Sequence, residues 1–313
     1  MNARVHRRQL LRAAAGGIVG AALPLASCGR ASVAALPATL IADDIALIAA
    51  TGGAVLAARG PEGVVLVDGG FSDESPAVLA AVAETFPRAA VRTLFNTHWH
   101  RGQTGSNETL GKAGARIIAH ENTKQWLAHE VFVRWENKTY EPLPEVALPN
   151  ETFYSTASMP WAGSTIEYGH MLQAHTDGDI YVRFPAGNVL ATGGAVTNDA
   201  WPVLDWWTGG YIGGLLDALT IMLAVADDAT VVVPGSGPVM TKADLAAQNE
   251  MYLEIFDRLG ALLKDSMGPA EAVAAKPTAG FKEEWGDPDL FVELAFRSFY
   301  GHLRGNQRLG PMP

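Results

Sequence analysis

A layered α/β fold is what this sequence predicts, and three observations predict it. Short apolar runs of strand length open the body of the chain, at Ile45–Ala50, Ala54–Arg59 and Val64–Val67, with glycine turns between them at Thr51-Gly52-Gly53 and Gly60–Gly63. Helical stretches follow, and the order of strands and then helices comes a second time further along. The length of 313 residues, 48% of them hydrophobic, is enough for one sizeable core.

The elements follow in order. Ser75–Phe86 reads as a helix, with a serine cap and Pro76 at the first helical position. Val91–Phe95 is a short apolar run of the buried-strand kind. Asn107–Ala113 reads as a short helix, Arg116–Ala119 as a strand, and His120 opens a helix running to His129. The proline-rich stretch Lys138–Asn150 reads as a loop. Thr152–Tyr154 and Thr165–Tyr168 are candidate strands, and Tyr181–Phe184 and Val189–Ala191 a strand pair around Pro185–Asn188. Gly210–Ala226 is a helix, Thr230–Val233 a strand, and Lys242–Lys264 a long amphipathic helix. Ala270–Ala275 and Asp289–Arg304 add C-terminal helices.

The N-terminus reads as a targeting segment, which stands apart from the fold. Arg4, Arg7, Arg8 and Arg12 make it basic, and Arg7 to Arg12 resembles a twin-arginine export signal. An apolar stretch, Ala13–Leu25, leads to the only cysteine, Cys28. Leu25-Ala26-Ser27-Cys28 resembles a bacterial lipobox, whose cysteine carries lipid and can anchor a domain without a spanning helix. The alternative is secretory cleavage after Ser32-Val33-Ala34. The expected organisation is an export signal over 1–28, a linker over 29–38 and one domain over 39–313. The expected place is the periplasm or cell envelope of a bacterium. A lone cysteine rules out a disulfide within the chain. A net charge of −10 argues against nucleic acid as a partner and leaves a small molecule.

Thr97–Asn107 reads T-H-W-H-R-G-Q-T-G-S-N, directly after the Val91–Phe95 run. Two imidazoles at the mouth of a strand, His98 and His100, can converge on one metal ion. The alternative is a pair of surface histidines on a loop. The stretch resembles the signature loop of the metallo-β-lactamase superfamily, T-H-x-H-x-D-H-x-x-G-N, with Thr97, His98, His100 and Asn107 in place. Four further segments fit that resemblance in order: Asp68-Gly69-Gly70, His175-Thr176-Asp177-Gly178-Asp179, Thr192-Gly193-Gly194 and Pro234-Gly235-Ser236-Gly237-Pro238.

The resemblance implies a four-layer αββα sandwich with metal ligands on loops at one edge. It carries His98, His100 and His175 over as ligands of a first site. Asp68 and Asp179 become structural carboxylates. His120, His129 and His170 stay outside the ligand set. The aspartate of the signature is Gly102 here and its third histidine Gln103; the bridging aspartate is Gly194, and the last histidine Ser236. The implication is a mononuclear site of three histidines, holding one zinc, with iron also allowed by the ligand set. No second metal is expected. The nitrogens should lie roughly 3–4 Å apart. Restoring all four lost side chains together should recruit a second ion.

The aspartate that orients an attacking water is missing. Gln103 cannot take a proton usefully at neutral pH; Asp177 and Asp199 are the remaining candidates for a general base. Trp99, Trp201, Trp206 and Trp207 either line a pocket or pack a loop, and Asp205 reads as a helix cap. Two principal functional readings follow. One is an exported metallo-hydrolase for a small ester, lactone, amide or thioester, a β-lactam being one candidate. The other is a non-catalytic relative that binds a metal or small ligand in the envelope. An iron protein that uses dioxygen is a third.

Overall fold

The computed structural model describes residues 34–305. The export and lipobox readings, Cys28 included, lie outside the described residues. The first sheet is built from β1 (Ala38–Ala42), β2 (Ile45–Ala50), β3 (Gly53–Gly60) and β4 (Gly63–Val67), then, after helix α1 (Ser75–Thr85), from β5 (Val91–Phe95). Two short helices follow, α2 (Arg101–Thr104) and α3 (Asn107–Lys112), then β6 (Arg116–His120) and α4 (Glu121–Ala128). A hairpin, β7 (Val131–Val133) with β8 (Lys138–Tyr140), precedes β9 (Glu151–Phe153). The first sheet has the order β1-β2-β3-β4-β5-β6-β9, antiparallel as far as β4 and parallel from there.

The second sheet is β10 (Thr156–Trp161), β11 (Ser164–His170), β12 (Ile180–Phe184), β13 (Val189–Ala191) and β14 (Val231–Val233) in that order. Only its last pair is parallel. Helix α5 (Ile212–Val225) makes the crossover from β13 to β14. α6 (Lys242–Lys264), α7 (Pro269–Ala274) and α8 (Asp289–Gly305) close the described chain. No helix among the described residues is long and apolar enough to cross a membrane.

Side-chain alternation builds the layers. On β3 and β4, Leu56, Ala58, Val65 and Val67 face the second sheet, where they meet Ile166, Ile180, Val182 and Val189. Their neighbours Val55, Ala57, Val64 and Leu66 face Val78 and Val82 of α1 and Leu110 of α3. The far side of the second sheet, through Leu190 and Val232, packs on α5, α6 and α8. The section is therefore helix, sheet, sheet, helix, as the resemblance implied. Burial on both faces explains why these strands read as unbroken apolar runs.

Four strands, β1, β7, β8 and β10, and the four-residue helix α2 fall outside the elements the sequence predicts. The stretch read as a loop at Lys138–Asn150 begins with β8, and three-residue strands are too short to show alternation. β10 is an edge strand that carries Pro160, which an edge tolerates. β1 falls where the linker was expected to end. One cap was also misread. Glu74, not Ser75, precedes α1, and its carboxylate does not cap the helix. It accepts hydrogen bonds from Thr51 N, Thr51 Oγ1 and Gly52 N, and so pins the β2–β3 turn.

The loops that leave β4, β5, β13 and β14 gather at one edge of the sandwich. Two hydrogen bonds join the sheets there, from Ile180 N to Thr97 O (2.9 Å) and from Ala54 N to Gly235 O (2.8 Å). That edge carries the candidate site.

Candidate metal centre

His98 and His100 stand on the loop between β5 and α2, and His175 on the loop between β11 and β12. The three ring centroids are 4.7–4.8 Å apart in every pairing, with planes 82–88° to one another. One nitrogen from each ring lies within 4.8 Å of the others, and the three could hold a metal ion. This bound is looser than the roughly 3–4 Å of a filled tetrahedral site. His98 and His175 are buried at 1% and 5% exposure, while the His100 side chain keeps 23%.

Each ring has a carboxylate behind it. Asp68 is buried at the end of β4 and accepts from Thr97 N (2.8 Å) and Thr97 Oγ1 (2.7 Å). With its one proton given to Asp68, the Thr97 hydroxyl accepts from His98 Nδ1 at 3.0 Å, which leaves His98 Nε2 free. Burial pushes the Asp68 carboxyl up to about 7, against the two Thr97 hydrogen bonds that favour its charge. A cation in the site would favour the carboxylate.

Asp205, fully buried, accepts from His100 Nε2 at 3.1 Å, which leaves His100 Nδ1 free. It also accepts from Thr208 N and Thr208 Oγ1, and Thr208 Oγ1 in turn accepts from Trp99 Nε1. Asp179 Oδ1 is 3.5 Å from His175 Nδ1, favouring the proton there and Nε2 as the ligand. Its other oxygen accepts from Thr176 N.

The electrostatics suit a cation. Burial, then the neighbouring histidines, drives the pKa of His98 well below its ordinary value. Burial lowers His100 too, opposed by its hydrogen bond to Asp205. Neutral imidazoles with free lone pairs are the form that binds metal. The observation that the residues fit an ion is chemical: three imidazoles converge, each offering one nitrogen within 4.8 Å of the others, and His98 and His100 are each oriented by a hydrogen bond on the other ring nitrogen.

The remaining sequence candidates take separate places. Asp177 Oδ1 accepts from Trp126 Nε1 at 2.7 Å, and burial raises its pKa to about 7. Asp199 is exposed and accepts from Ser236 Oγ at 2.7 Å. Gln103 Nε2 donates to Gly52 O at 2.9 Å. Among the described residues no side-chain hydrogen bond joins these three to His98, His100 or His175; Gln103 N donates to His100 O at 3.0 Å along the backbone. His120 and His170 stack on each other at 3.7 Å, away from the cluster, with His170 Nε2 on Asp177 O. Trp99 is buried beside Leu127 and Val131. Trp201 stacks on Phe291, and Trp206 packs into the same core. Trp99 and Trp201 are core residues, while Trp206 and Trp207 are half-buried, with the Arg134 guanidinium 4.5 Å over the Trp207 ring.

Two contributors were missed. Asp205 gave only the signal of a cap for the helix near Gly209; it caps the short turn Trp206–Thr208 instead, and its other partner, His100, is 105 residues away in sequence. Trp135, at the tip of the unread β7–β8 hairpin, stands 6.4 Å from His100. No local signal marks either.

Against this geometry the family can be assigned. The family model described as the metallo-beta-lactamase superfamily matches residues 50–248. The chain belongs to the metallo-β-lactamase superfamily. Solved structures agree on the fold. A metallo-beta-lactamase from Pontibacter korlensis is 22% identical, with a TM-score of 0.56 over 70% of this chain and 99% of that one. The DIM-1 metallo-beta-lactamase is 18% identical, with a TM-score of 0.55 over 70% and 97%. The inverting sec-alkylsulfatase Pisa1 from Pseudomonas sp. is 15% identical, with a TM-score of 0.66 over 89% of this chain and 52% of its own. At these identities the likeness is one of fold. A comparison with curated proteins finds no match.

Proposed function

We propose that this superfamily member is an exported, mononuclear metallo-hydrolase for a small ester, lactone, amide or thioester. The observation that carries the reading is the set of three converging histidines, with His100 hydrogen-bonded to Asp205, His98 tied to Asp68 through Thr97, and Asp179 at 3.5 Å from His175. A zinc ion bound there would act as a Lewis acid and lower the pKa of a coordinated water toward 7.

The chain's own residues do the rest. Asp68 through Thr97 and Asp205 directly hold the His98 and His100 rings in one tautomer and orientation, and Asp179 stands 3.5 Å from His175 Nδ1. Burial keeps His98 and His175 away from competing water. His100 is the half-open side, so substrate reaches the centre past it, beneath Trp135. With glycine at position 102, no aspartate stands where the signature loop supplies one, and the reading is of modest turnover on reactive esters and weak turnover on β-lactams. Export and attachment through lipid on Cys28 belong to the same proposal and rest on the N-terminal sequence.

The test is a panel of chromogenic esters, thioesters and lactones with the zinc-loaded protein and its His98→Ala variant. Hydrolysis that depends on His98 supports the enzyme. A zinc-loaded protein inert on every class favours the non-catalytic reading, for which the missing aspartate is the specific observation.

A further inference from the structure

A second ion would need the positions of Gly102, Gln103, Gly194 and Ser236, and the structure shows what stands there instead. The β2–β3 turn lies directly on α2. A Cβ added to Gly102 would come 2.5 Å from Gly52 O and 3.0 Å from Gly52 Cα, both backbone atoms. A Cβ on Gly52 would in turn come 2.7 Å from Gly102 O. Real Cβ atoms do not approach this closely, and backbone cannot rotate away as a side chain can.

The turn is also tied down. Glu74 holds Thr51 and Gly52 from one side, Gln103 Nε2 holds Gly52 O from another, and Ala54 N donates to Gly235 O. Gly235 lies against Gly193, where a Cβ would be 2.6 Å from Gly193 O. A Cβ on Gly194 would fall 2.6 Å from His175 Nδ1. Ser236 turns its hydroxyl to Asp199.

We propose that this side of the centre is closed by a seam of three backbone turns, around Gly52, Gly102 and Gly193–Gly235. The protein is then limited to one ion by packing, and not only by the loss of four ligand side chains. This deepens the one-metal reading above and rests on it. It also reverses the sequence expectation that restoring the ligands would restore the site. An aspartate at 102 must push the β2–β3 turn off α2, and an aspartate at 194 must displace His175, a ligand of the site that remains.

The test is a titration of the metal-free protein with Zn2+ alone, comparing wild type with the fourfold variant Gly102→Asp, Gln103→His, Gly194→Asp, Ser236→His. The expected wild-type stoichiometry is one ion per chain, and the expected variant stoichiometry one or fewer, with weaker affinity. A folded variant that takes two ions overturns the proposal. If the variant does not fold, Gly102→Ala decides by thermal melting. A loss of about 5 °C or more supports the seam, and a wild-type Tm overturns it. A wild type that binds no zinc would refute the metal reading and leave this melting result to test the packing independently.

Discussion

Gly194→Ala should damage the metal centre without replacing any of its ligands. The added Cβ would stand 2.6 Å from His175 Nδ1, 2.8 Å from His175 Cε1 and 3.0 Å from His98 Cε1. Ordinary van der Waals contact begins near 3.4 Å, so the His175 ring must retreat by about 0.8 Å. Metal–ligand distances tolerate only about 0.2 Å. The retreat is several times that, and it also moves Nδ1 relative to Asp179. Zinc affinity should fall at least as far as loss of a ligand's support costs, about 10–100-fold. The assay is competition with a chromophoric chelator. Gly260→Ala is the control: a Cβ there meets nothing within 4 Å, and alanine is the better residue inside α6. It should leave affinity unchanged. A Gly194→Ala protein that binds zinc within twofold of wild type would refute the placement of His175 against position 194.

Asp205→Ala should weaken zinc binding by about 10–100-fold, because His100 loses the acceptor that fixes its tautomer; unchanged chelator competition would contradict this. It should also lower stability by about 1–3 kcal/mol in urea unfolding, since the buried Thr208 hydroxyl loses its acceptor. Stability should fall on the acid side through His120, whose pKa burial pushes from 6.5 down to about 4, with His170 adding to the effect. The unfolded histidine takes up its proton first, so this contribution is complete above pH 6.5 and lost as pH falls toward 4, by at most about 3 kcal/mol. Urea unfolding of wild type and His120→Phe across that range checks it, and identical pH slopes would count against it. Cys28→Ser should release the protein from the membrane fraction; a wild-type chain that carries no lipid and starts near Ala35 would end the lipoprotein reading.

The sandwich was legible in the sequence because its strands are buried on both faces and separated by glycine turns. Val91–Phe95 and Val189–Ala191 came out with the bounds the structure gives, as did the amphipathic helix Lys242–Lys264. The strands that were missed bury little or are very short: β10 alternates partly buried and exposed residues at an edge, and β7 and β8 have three residues each. The histidines were legible through the signature spacing. Asp68 was legible for the same reason, and it accepts the backbone and hydroxyl hydrogen bonds expected of it. Asp205 was not, because a carboxylate that caps a turn and braces a histidine 105 residues away shows only its local half in sequence. The seam was hidden for a related reason. A glycine in the sequence marks a missing side chain, but only the fold shows that the backbone of Gly52 fills the space beside Gly102.

The most direct test is elemental analysis of the purified mature protein beside its His98→Ala variant. The account predicts close to one zinc or iron ion per wild-type chain and a near-complete loss in the variant. A wild-type protein with no bound metal, or with two ions per chain, would contradict it.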